Sequence, residues 1–303
     1  MATLTPTRSP SPRGGQPRPP AQDDDAARRR RRPPTVLGTV LVIVLCVAAA
    51  VALLPFAWML SASFRPRGDL ISDPTSLWPG VWTLQNYANI WQQIPFGRQL
   101  LNTAFFAGTV SVVSVALDSM AGYALARFAF PGQTVVLVVV IAMLMLPPQV
   151  TLVPIYQVLV QLGWTNTYQG LIVPRAADAF GIFFMRQFFL ALPRDLEDAA
   201  RIDGASEWRI FARVMFPLAW PAALTIGLFN LLGNWNDLLW PLIVTTKTEM
   251  RTLPAGLALF KGEHVTDYGL LMAGSVLALL PMLVAFFLVQ RRFIEGIATT
   301  GLK

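Results

Sequence analysis

The chain is nearly devoid of the residues that build disulfides and metal centres. Its 303 residues include one cysteine, Cys46, and one histidine, His264. A lone cysteine makes neither a disulfide framework nor a metal site, and a lone histidine is more simply a polar loop residue than a ligand. No cluster of Cys, His or paired carboxylates indicates a catalytic centre. The sequence therefore predicts no catalytic residues and no metal ligands.

Charge is also scarce: 14% of the residues are charged, 54% are hydrophobic, and the mean hydropathy is +0.51. Ordinary soluble domains are about 45–50% apolar with glycine included. Two long runs carry no charge at all, residues 35–63 and 268–290. Runs of about 20 apolar residues span a bilayer as helices, and the runs do not alternate as barrel strands would. The fold class predicted is an all-α integral membrane protein.

Residues 1–34 differ in composition from the rest of the chain. They hold eight prolines and eight arginines, five of which stand together at Arg28–Arg32. Such a segment buries too little apolar surface to fold, so it is predicted to be a disordered tail, with 35–303 as the membrane domain. A run of arginines is compatible with nucleic-acid binding, but beside a membrane it favours a cytoplasmic anchor near anionic lipid. The apolar run that follows is longer than that of a cleaved signal peptide.

Six membrane spans are predicted, the fourth being the most polar. Pro147 and Pro148 should end the third near Leu146 and start a shorter helix. The predicted spans are 35–63, 100–126, 134–160, 171–189, 218–244 and 268–290.

Lysine and arginine set the predicted orientation. With the N-terminus inside, 17 of these residues fall on the cytoplasmic side and 7 outside, which sum to all 24. This bias follows the positive-inside rule, and six spans return the C-terminus to the cytoplasm. The connection between the fourth and fifth spans is therefore predicted to be cytoplasmic.

That connection, about 191–217, is the most charged part of the membrane domain. Nine of its twenty residues from Arg194 to Arg213 are charged. Leu196, Ala199 and Ala200 have the spacing of one helix face, and Gly204 is placed to end that helix with a positive φ. Pro217 closes the segment and starts the fifth span. From the residues alone, a partner-docking element and an amphipathic helix resting on lipid are equally compatible.

The segment resembles the EAA loop of permease subunits of ATP-binding-cassette importers, whose pattern is E-A-A-x3-G-x9-I-x-L-P. Asp, Val and Phe stand where the pattern has Glu, Ile and Leu, and Glu197 beside the first position is a candidate for part of its role. The matching residues are Asp198, Ala199, Ala200, Gly204, Val214, Phe216 and Pro217.

Further stretches of 35–303 are similar to carbohydrate-importer permeases, nearest to the maltose-type second permease. They include "GYALARFAFPG", "LPPQVTLVPIYQVL" and "WNDLLWPLIV". The resemblance implies a six-helix permease in a bacterial plasma membrane, paired with a second permease. It also implies two ATP-binding subunits that hold ATP and Mg²⁺, a docking role for the EAA loop, and an external sugar-binding protein. This chain contains no G-x-x-x-x-G-K-[ST] phosphate loop, so ATP hydrolysis would belong to the partners.

Polar residues in the fifth span are candidates for a substrate pathway. In one interpretation, these side chains bind a sugar through hydrogen bonds and aromatic stacking. In the other, they form hydrogen bonds between helices that fix the packing. The resemblance implies that the partner permease holds most of the sugar. The candidates are Asn230, Asn234, Trp235, Asn236 and Asp237.

Three other polar features have simpler interpretations. Asp118 in the second span is predicted to be structural. Arg175 and Asp178 are predicted to form an i,i+3 ion pair. The outer connection 247–267 is either a contact for the binding protein, as the resemblance suggests, or a plain connector.

A different class of protein, a self-sufficient secondary transporter or channel, is the main alternative. Such carriers usually contain internal repeats and coupling carboxylates. No convincing repeat occurs, and Asp118 and Asp237 are isolated. An importer of another small polar solute, such as a polyol or glycerol phosphate, is the alternative within the same family.

Overall fold

The structure is a computed structural model that describes residues 36–261 and 266–300, with the last helix described by its backbone alone beyond residue 287. The predictions for the tail 1–34 and for His264 lie outside these residues. The described chain is helical, apart from one antiparallel bridge between Lys261 and Thr266. The all-α prediction is confirmed.

The helices, in chain order, are α1 Val36–Ser63, α2 Arg67–Ser72, α3 Gln85–Gln93, α4 Phe96–Arg127, α5 Gln133–Met145, α6 Pro148–Gln161, α7 Tyr168–Ile172, α8 Ala179–Ala191, α9 Asp195–Ile202, α10 Glu207–Ile210, α11 Phe216–Leu218, α12 Trp220–Trp235, α13 Leu239–Val244, α14 Leu253–Leu257 and α15 Tyr268–Thr300. A π-helical turn at Phe211–Met215 joins α10 to α11.

Three of the described helices are long and apolar enough to cross a membrane: α1, α4 and the part of α15 from Tyr268 to Phe287. The number rises to five if each of two sharply bent pairs counts as one span. α8 is a shorter apolar helix of 13 residues. The count of six spans stays a prediction.

Internal contacts divide the chain into two units, Met1–Leu54 and Pro55–Lys303. The described part of the first unit is the opening portion of α1, whose large apolar side chains are exposed. An uncharged helix that exposes such side chains along its length suits a hydrocarbon environment. α1 therefore has the properties of a membrane span.

The break in the third predicted span is confirmed. α5 ends at Met145, Pro148 is the first residue of α6, and the two helices bend by 107°. Proline suits the first position of a helix, where its missing N–H would have no partner in any case. The proline pair therefore ends one helix and begins the next.

The fourth predicted span, 171–189, is wrong as a continuous helix. α7 ends at Ile172, a 3₁₀ turn covers Val173–Arg175, and α8 begins only at Ala179. Pro174 lacks the N–H that a continuing helix needs, and the Asp178 side chain accepts a hydrogen bond from the backbone N–H of Gly181. This cap starts a new helix where the hydrophobic pattern indicated a continuous one.

α4 is the central helix of the second unit and packs against both α8 and α12. Gly122 makes the contact with α8 close: a Cβ there would lie 2.8 Å from both the Met185 Cβ and the Arg186 backbone nitrogen. Glycine in a membrane helix allows this kind of backbone approach. The cluster around the contact includes Tyr123, Met185, Phe189, Phe211, Met215 and Ile226.

We expect Gly122→Ala to destabilise the protein by about 1–3 kcal/mol, because the added methyl overlaps α8 backbone that cannot move aside. Gly108→Ala in the same helix is the matched control, since a Cβ there meets nothing within 4 Å. Thermal unfolding of the full chain in detergent, followed by size-exclusion chromatography, measures both. Equal midpoints for the two variants would contradict the close contact.

Candidate functional site

The segment after α8 begins with the short helix α9, which Gly204 terminates. Gly204 has φ +78°, and its N–H donates to the Arg201 oxygen at 3.0 Å. The N–H of Ala205 donates to the Ala200 oxygen, also at 3.0 Å. These two bonds define a Schellman motif, which requires a left-handed residue and so favours glycine. The predicted positive φ at Gly204 is confirmed.

α9 has one inward residue and a largely exposed opposite face. Glu197 is its only buried residue. Ala200 packs part-buried against the core, whereas Asp198 and Ala199 are exposed and Ile202 is 87% exposed. The apolar face predicted for Leu196, Ala199 and Ala200 is thus divided, because only Ala200 lies on the same side as Glu197.

Glu197 and Asp198, adjacent in sequence, have different partners. The Glu197 Oε1 lies 2.6 Å from the Nε of Arg127, the last residue of α4. Both side chains are almost fully buried, at 3% and 2% exposure. The contact is ionic and not a hydrogen bond, since neither atom has a bond partner with suitable geometry. Asp198, with 63% of its side chain exposed, pairs with Arg201 instead, at 2.9 Å.

Arg201 links the two helices of the segment at the surface. It donates to the Glu207 carboxylate from Nε at 2.8 Å and approaches Glu197 at 3.5 Å. The bonds from Arg201 lower the pKa of Glu207. This contribution is present at neutral pH and is lost only as the pH falls through the lowered pKa. Because both side chains are exposed, the pair contributes little stability.

The second half of the segment attaches to the core through apolar side chains. Ile210 and Met215 are fully buried and Phe211 is 7% exposed, whereas Trp208 is 65% exposed. Val214 is part-buried and Pro217 is exposed. The chain then bends by 76° and enters α12 at Trp220. This half fixes the segment to the membrane domain.

A chain of hydrogen bonds joins α12, α4 and the start of α8. Asn230 donates to the Ser114 hydroxyl at 3.0 Å, and Ser114 donates to the Asp118 carboxylate at 2.6 Å. The other Asp118 oxygen accepts the backbone N–H of Asp178 at 3.0 Å. Asp118 is fully buried, and a Cβ at Gly181 would overlap its carboxylate. Its structural role is thus supported by one hydrogen bond within α4, one from the residue before α8, and the close approach of Gly181.

A polar cavity of about 230 Å³ lies beside this chain, at the break between α5 and α6. Asn234 borders it and is 6% exposed. Its Nδ2 donates to the Asn230 oxygen at 2.8 Å, while its Oδ1 has no partner. A buried polar atom without a partner costs free energy, so this acceptor is suited to a ligand or water. The cavity is lined by Met143, Pro148, Thr151, Leu152, Ile155, Pro174, Arg175, Ala177, Asp178, Asn230, Asn234 and Trp240.

Arg175 pairs with Asp237 and not with Asp178. Its Nη2 lies 2.5 Å from the Asp237 carboxylate, and its guanidinium stands 5.6 Å from the centre of the Trp240 ring. The predicted Arg175–Asp178 pair is wrong, because the Asp178 side chain caps α8. Asp237 also accepts the backbone N–H of Trp240 at 3.2 Å, which fixes it at the start of α13.

The five candidates from the fifth span divide between two places. Asn230 and Asn234 border the polar cavity, and Asp237 reaches its edge through Arg175. Trp235 and Asn236 line a separate, mostly apolar cavity between α12, α14 and α15. Trp235 directly follows Asn234 and so points about 100° further around α12. The helix ends there, so Asn236 and Asp237 leave its register.

Residues 248–253, in the connection predicted to lie outside, are held firmly to the first turns of α4. Asn102 donates to the backbone oxygens of Glu249 and Arg251, at 2.7 and 3.0 Å. Gln99 donates to the Thr248 oxygen at 3.1 Å, and Thr103 accepts from the Leu253 N–H at 2.7 Å. Buried side chains of α4 thus fix 248–253, and a contact of this connection with a binding protein stays a prediction.

Two partners were not predicted from the sequence. Arg127 stood out only as the one basic residue between the second and third predicted spans. The Asp237 carboxylate meets Arg175, which lies 62 residues earlier in the chain, so no local pattern predicts the contact. A charged residue at the end of a span was the only available signal for either contact.

In the residues that the structure describes, no group of three or more His, Cys, Asp or Glu side chains is placed to hold a metal ion. The polar features are a small cavity among the helices and a charged helix beside the core. Together with the long apolar helices, these features are those of a helical membrane protein with a polar cavity inside it.

Residues 118–298 match the family described as "Binding-protein-dependent transport system inner membrane component". The chain belongs to this family and is a permease subunit of an ABC importer. Its relatives are transport permeases and not enzymes.

Two relatives carry oligosaccharide names. The arabinooligosaccharides transport system permease protein AraQ of Halalkalibacterium halodurans is 35% identical, over 84% of this chain and 92% of that protein. The diacetylchitobiose uptake system permease protein NgcG of Streptomyces coelicolor is 37% identical, over 84% of each chain. The sn-glycerol-3-phosphate transport system permease protein UgpE of Escherichia coli is 32% identical, over 82% and 91%.

A solved structure has the same fold. It is a bacterial ABC transporter involved in the import of the acidic polysaccharide alginate, and one of its chains aligns with a TM-score of 0.74. The alignment covers 85% of this chain and 96% of that one, at 23% identity. This likeness establishes the permease fold for residues well beyond the family match.

We expect Gly204→Ala to loosen the end of α9, because a left-handed conformation costs a Cβ-bearing residue about 1–2 kcal/mol. Hydrogen–deuterium exchange of peptides covering 195–210 should become faster. Gly204→Asn is the control, since asparagine adopts this conformation more readily. A Cβ at 204 meets no neighbouring atom, so the effect would come from the backbone alone. Unchanged exchange in Gly204→Ala would contradict this account.

Proposed function

We propose that this chain forms the translocation pathway of a sugar importer together with a second permease, driven by two cytoplasmic ATP-binding subunits. The observation that carries the proposal is α9: a short helix closed by Gly204, with Asp198 and Ile202 on its exposed side. ATP and Mg²⁺ would be bound by the partner subunits, with no cofactor in this chain. An extracytoplasmic sugar-binding protein would deliver the substrate.

The proposed topology has six spans in a bacterial plasma membrane, with both termini in the cytoplasm. The excess of lysine and arginine on that side supports this orientation, 17 against 7. The bent pair α5–α6, helix α12 after its 76° bend, and the short α8 would supply the spans that are not single long helices. Segment 191–217 then faces the cytoplasm.

The exposed face of α9 is proposed as the ATPase contact, with Gly204, Val214 and Pro217 shaping its support. Ile202 is 87% exposed and stands one helical turn from Asp198. An exposed apolar side chain rimmed by charge is typical of an interaction site, and less so of a helix resting in lipid. The small side chain of Ala199, between them, allows the partner subunit to approach the helix closely. Glu197 faces the core and supports the helix from within.

We expect Ile202→Ser to reduce co-purification of the ATP-binding subunit and uptake alike, because truncating a central apolar contact costs about 1–2 kcal/mol or more. Ile71→Ser in α2 is the matched control, with 62% exposure on the proposed outer side. Affinity purification of the tagged permease, with ATPase stoichiometry measured on the gel, compares them. Full ATPase recovery with Ile202→Ser would refute docking through this face.

The polar cavity is proposed as this chain's contribution to the sugar pathway. The free Oδ1 of Asn234 would accept a hydroxyl hydrogen bond, and Asn230 borders the same space. At about 230 Å³ the cavity is smaller than the roughly 300 Å³ at which ligand pockets begin. It would therefore hold part of an oligosaccharide, with the second permease supplying the rest.

The charges around the cavity favour a neutral substrate. Arg175 contributes one positive charge, Asp178 and Asp237 two negative charges, and the arginine is already paired with Asp237. No cation at this cavity is left without a partner for a phosphate or carboxylate. The net negative charge around the cavity repels an anionic substrate. Among the substrates named for relatives, neutral oligosaccharides therefore fit better than glycerol phosphate.

We expect Asn234→Leu to raise the KM for uptake of a labelled neutral oligosaccharide about tenfold, as loss of one hydrogen bond worth up to about 1.5 kcal/mol predicts. ATPase attachment should not change. Asn236→Leu, at the other cavity, tests the competing path. A raised KM in Asn236→Leu with normal Asn234→Leu would move the pathway to the cavity between α12, α14 and α15.

A further inference from the structure

The attachment of α9 to the membrane domain depends on few contacts. Of its eight residues, Asp195–Ile202, only Glu197 is buried, and Ala200 adds a small apolar contact. Apolar burial scales with area, so one alanine provides little of it. The buried carboxylate of Glu197 is therefore the principal connection between this helix and the core.

That connection ends on α4. The Arg127 Nε is 2.6 Å from the Glu197 Oε1, and the Arg127 Nη2 donates to the backbone oxygen of Leu192 at 2.8 Å. A single guanidinium therefore joins the end of α4, the end of α8 and the start of α9. A cation suits the last turn of a helix and an anion the first, so both helix dipoles favour this pair.

Arg201, the other cation in contact with Glu197, lies toward solvent. Arg201 approaches it at 3.5 Å but is 40% exposed and bonds Asp198 and Glu207 as well. Arg186, on α8, donates to the Leu125 oxygen on α4 at 3.2 Å. Arg127 is thus the one buried cation in contact with Glu197 among the described residues.

α4 continues from this pair to the polar cavity. Asp118 and Ser114 lie nine and thirteen residues before Arg127, or about 14 and 20 Å along the helix. Both belong to the hydrogen-bond chain that holds Asn230 and the start of α8. A displacement of Glu197 would therefore act on the helix that organises the cavity.

We propose that Arg127 and Glu197 form the coupling tie of this subunit: two positioning residues that pass movement of α9 into α4, without contacting the ATPase. The inference rests on the proposed function, in which the opposite face of α9 receives the ATPase. The two adjacent carboxylates then have different roles. Asp198 faces the partner, and Glu197 transmits the resulting movement inward.

The test uses the complete importer reconstituted in liposomes, with sugar uptake and ATP hydrolysis measured together. Glu197→Gln removes the charge at nearly constant shape. It should keep the ATP-binding subunit attached while lowering the sugar transported per ATP about fivefold or more, the lower range of coupling effects. Arg127→Lys retains the charge, so it should keep more of the coupling than Arg127→Met.

A double variant, Arg127→Met/Glu197→Met, separates coupling from folding. Breaking one side of a buried pair destabilises a protein strongly, but replacing both partners by apolar residues is often neutral. The double variant should therefore assemble normally and still transport less per ATP. Normal transport per ATP in this variant would overturn the proposal and leave the pair a purely structural one.

Separate outcomes test the proposed docking face and the coupling tie. Asp198→Asn should weaken ATPase attachment, measured by co-purification, with transport per ATP nearly unchanged for the complexes that form. If Glu197→Gln lost the ATP-binding subunit to the same extent, Glu197 would be a contact residue and the tie would be refuted. If neither Asp198→Asn nor Ile202→Ser changed attachment, the docking face itself would be wrong.

Discussion

The arrangement of the membrane domain depends on keeping the oxygens of Asp118 satisfied inside an apolar core. A carboxylate at this depth is costly unless every oxygen has a partner. Ser114 supplies one hydrogen bond from the same helix, and the N–H of Asp178 supplies another from the start of α8. The glycine at 181 gives the carboxylate room. Satisfying this one group therefore ties the start of α8, which the Asp178 side chain caps, closely to α4.

The same helix serves two sites that have opposite requirements. The cavity beside α4 leaves a polar acceptor, the Asn234 Oδ1, without a partner and therefore available. At its C-terminal end, α4 buries the Arg127 charge against Glu197 and leaves little exposed. A site that binds a passing substrate needs hydrogen-bonding groups without protein partners. A contact that transmits movement needs groups that are already paired and rigidly held. In the proposed coupling, one continuous helix joins the two sites, so movement at Arg127 would reach Asp118 and Ser114 beside the cavity.

Local chemistry in the sequence was enough for several elements. The proline pair at 147–148 ended one helix and began another as expected, because proline acts through its own backbone. Gly204 adopted positive φ for an equally local reason. The prediction of one continuous fourth span was wrong, because the hydrophobic pattern across 171–189 gives no sign that Asp178 caps the start of α8. Likewise, polar residues of the fifth span that looked like one group border two cavities, because α12 ends among them.

The sequence by itself determined that this is a helical membrane protein of the importer-permease family, and that its charged segment forms a helix closed by a glycine. Composition and motif spacing carry that information because they act over a few neighbouring residues. Only the tertiary structure decided which of two adjacent carboxylates faces the core, and that Arg175 meets Asp237. Those outcomes depend on where distant helices approach each other, and local spacing does not encode such contacts.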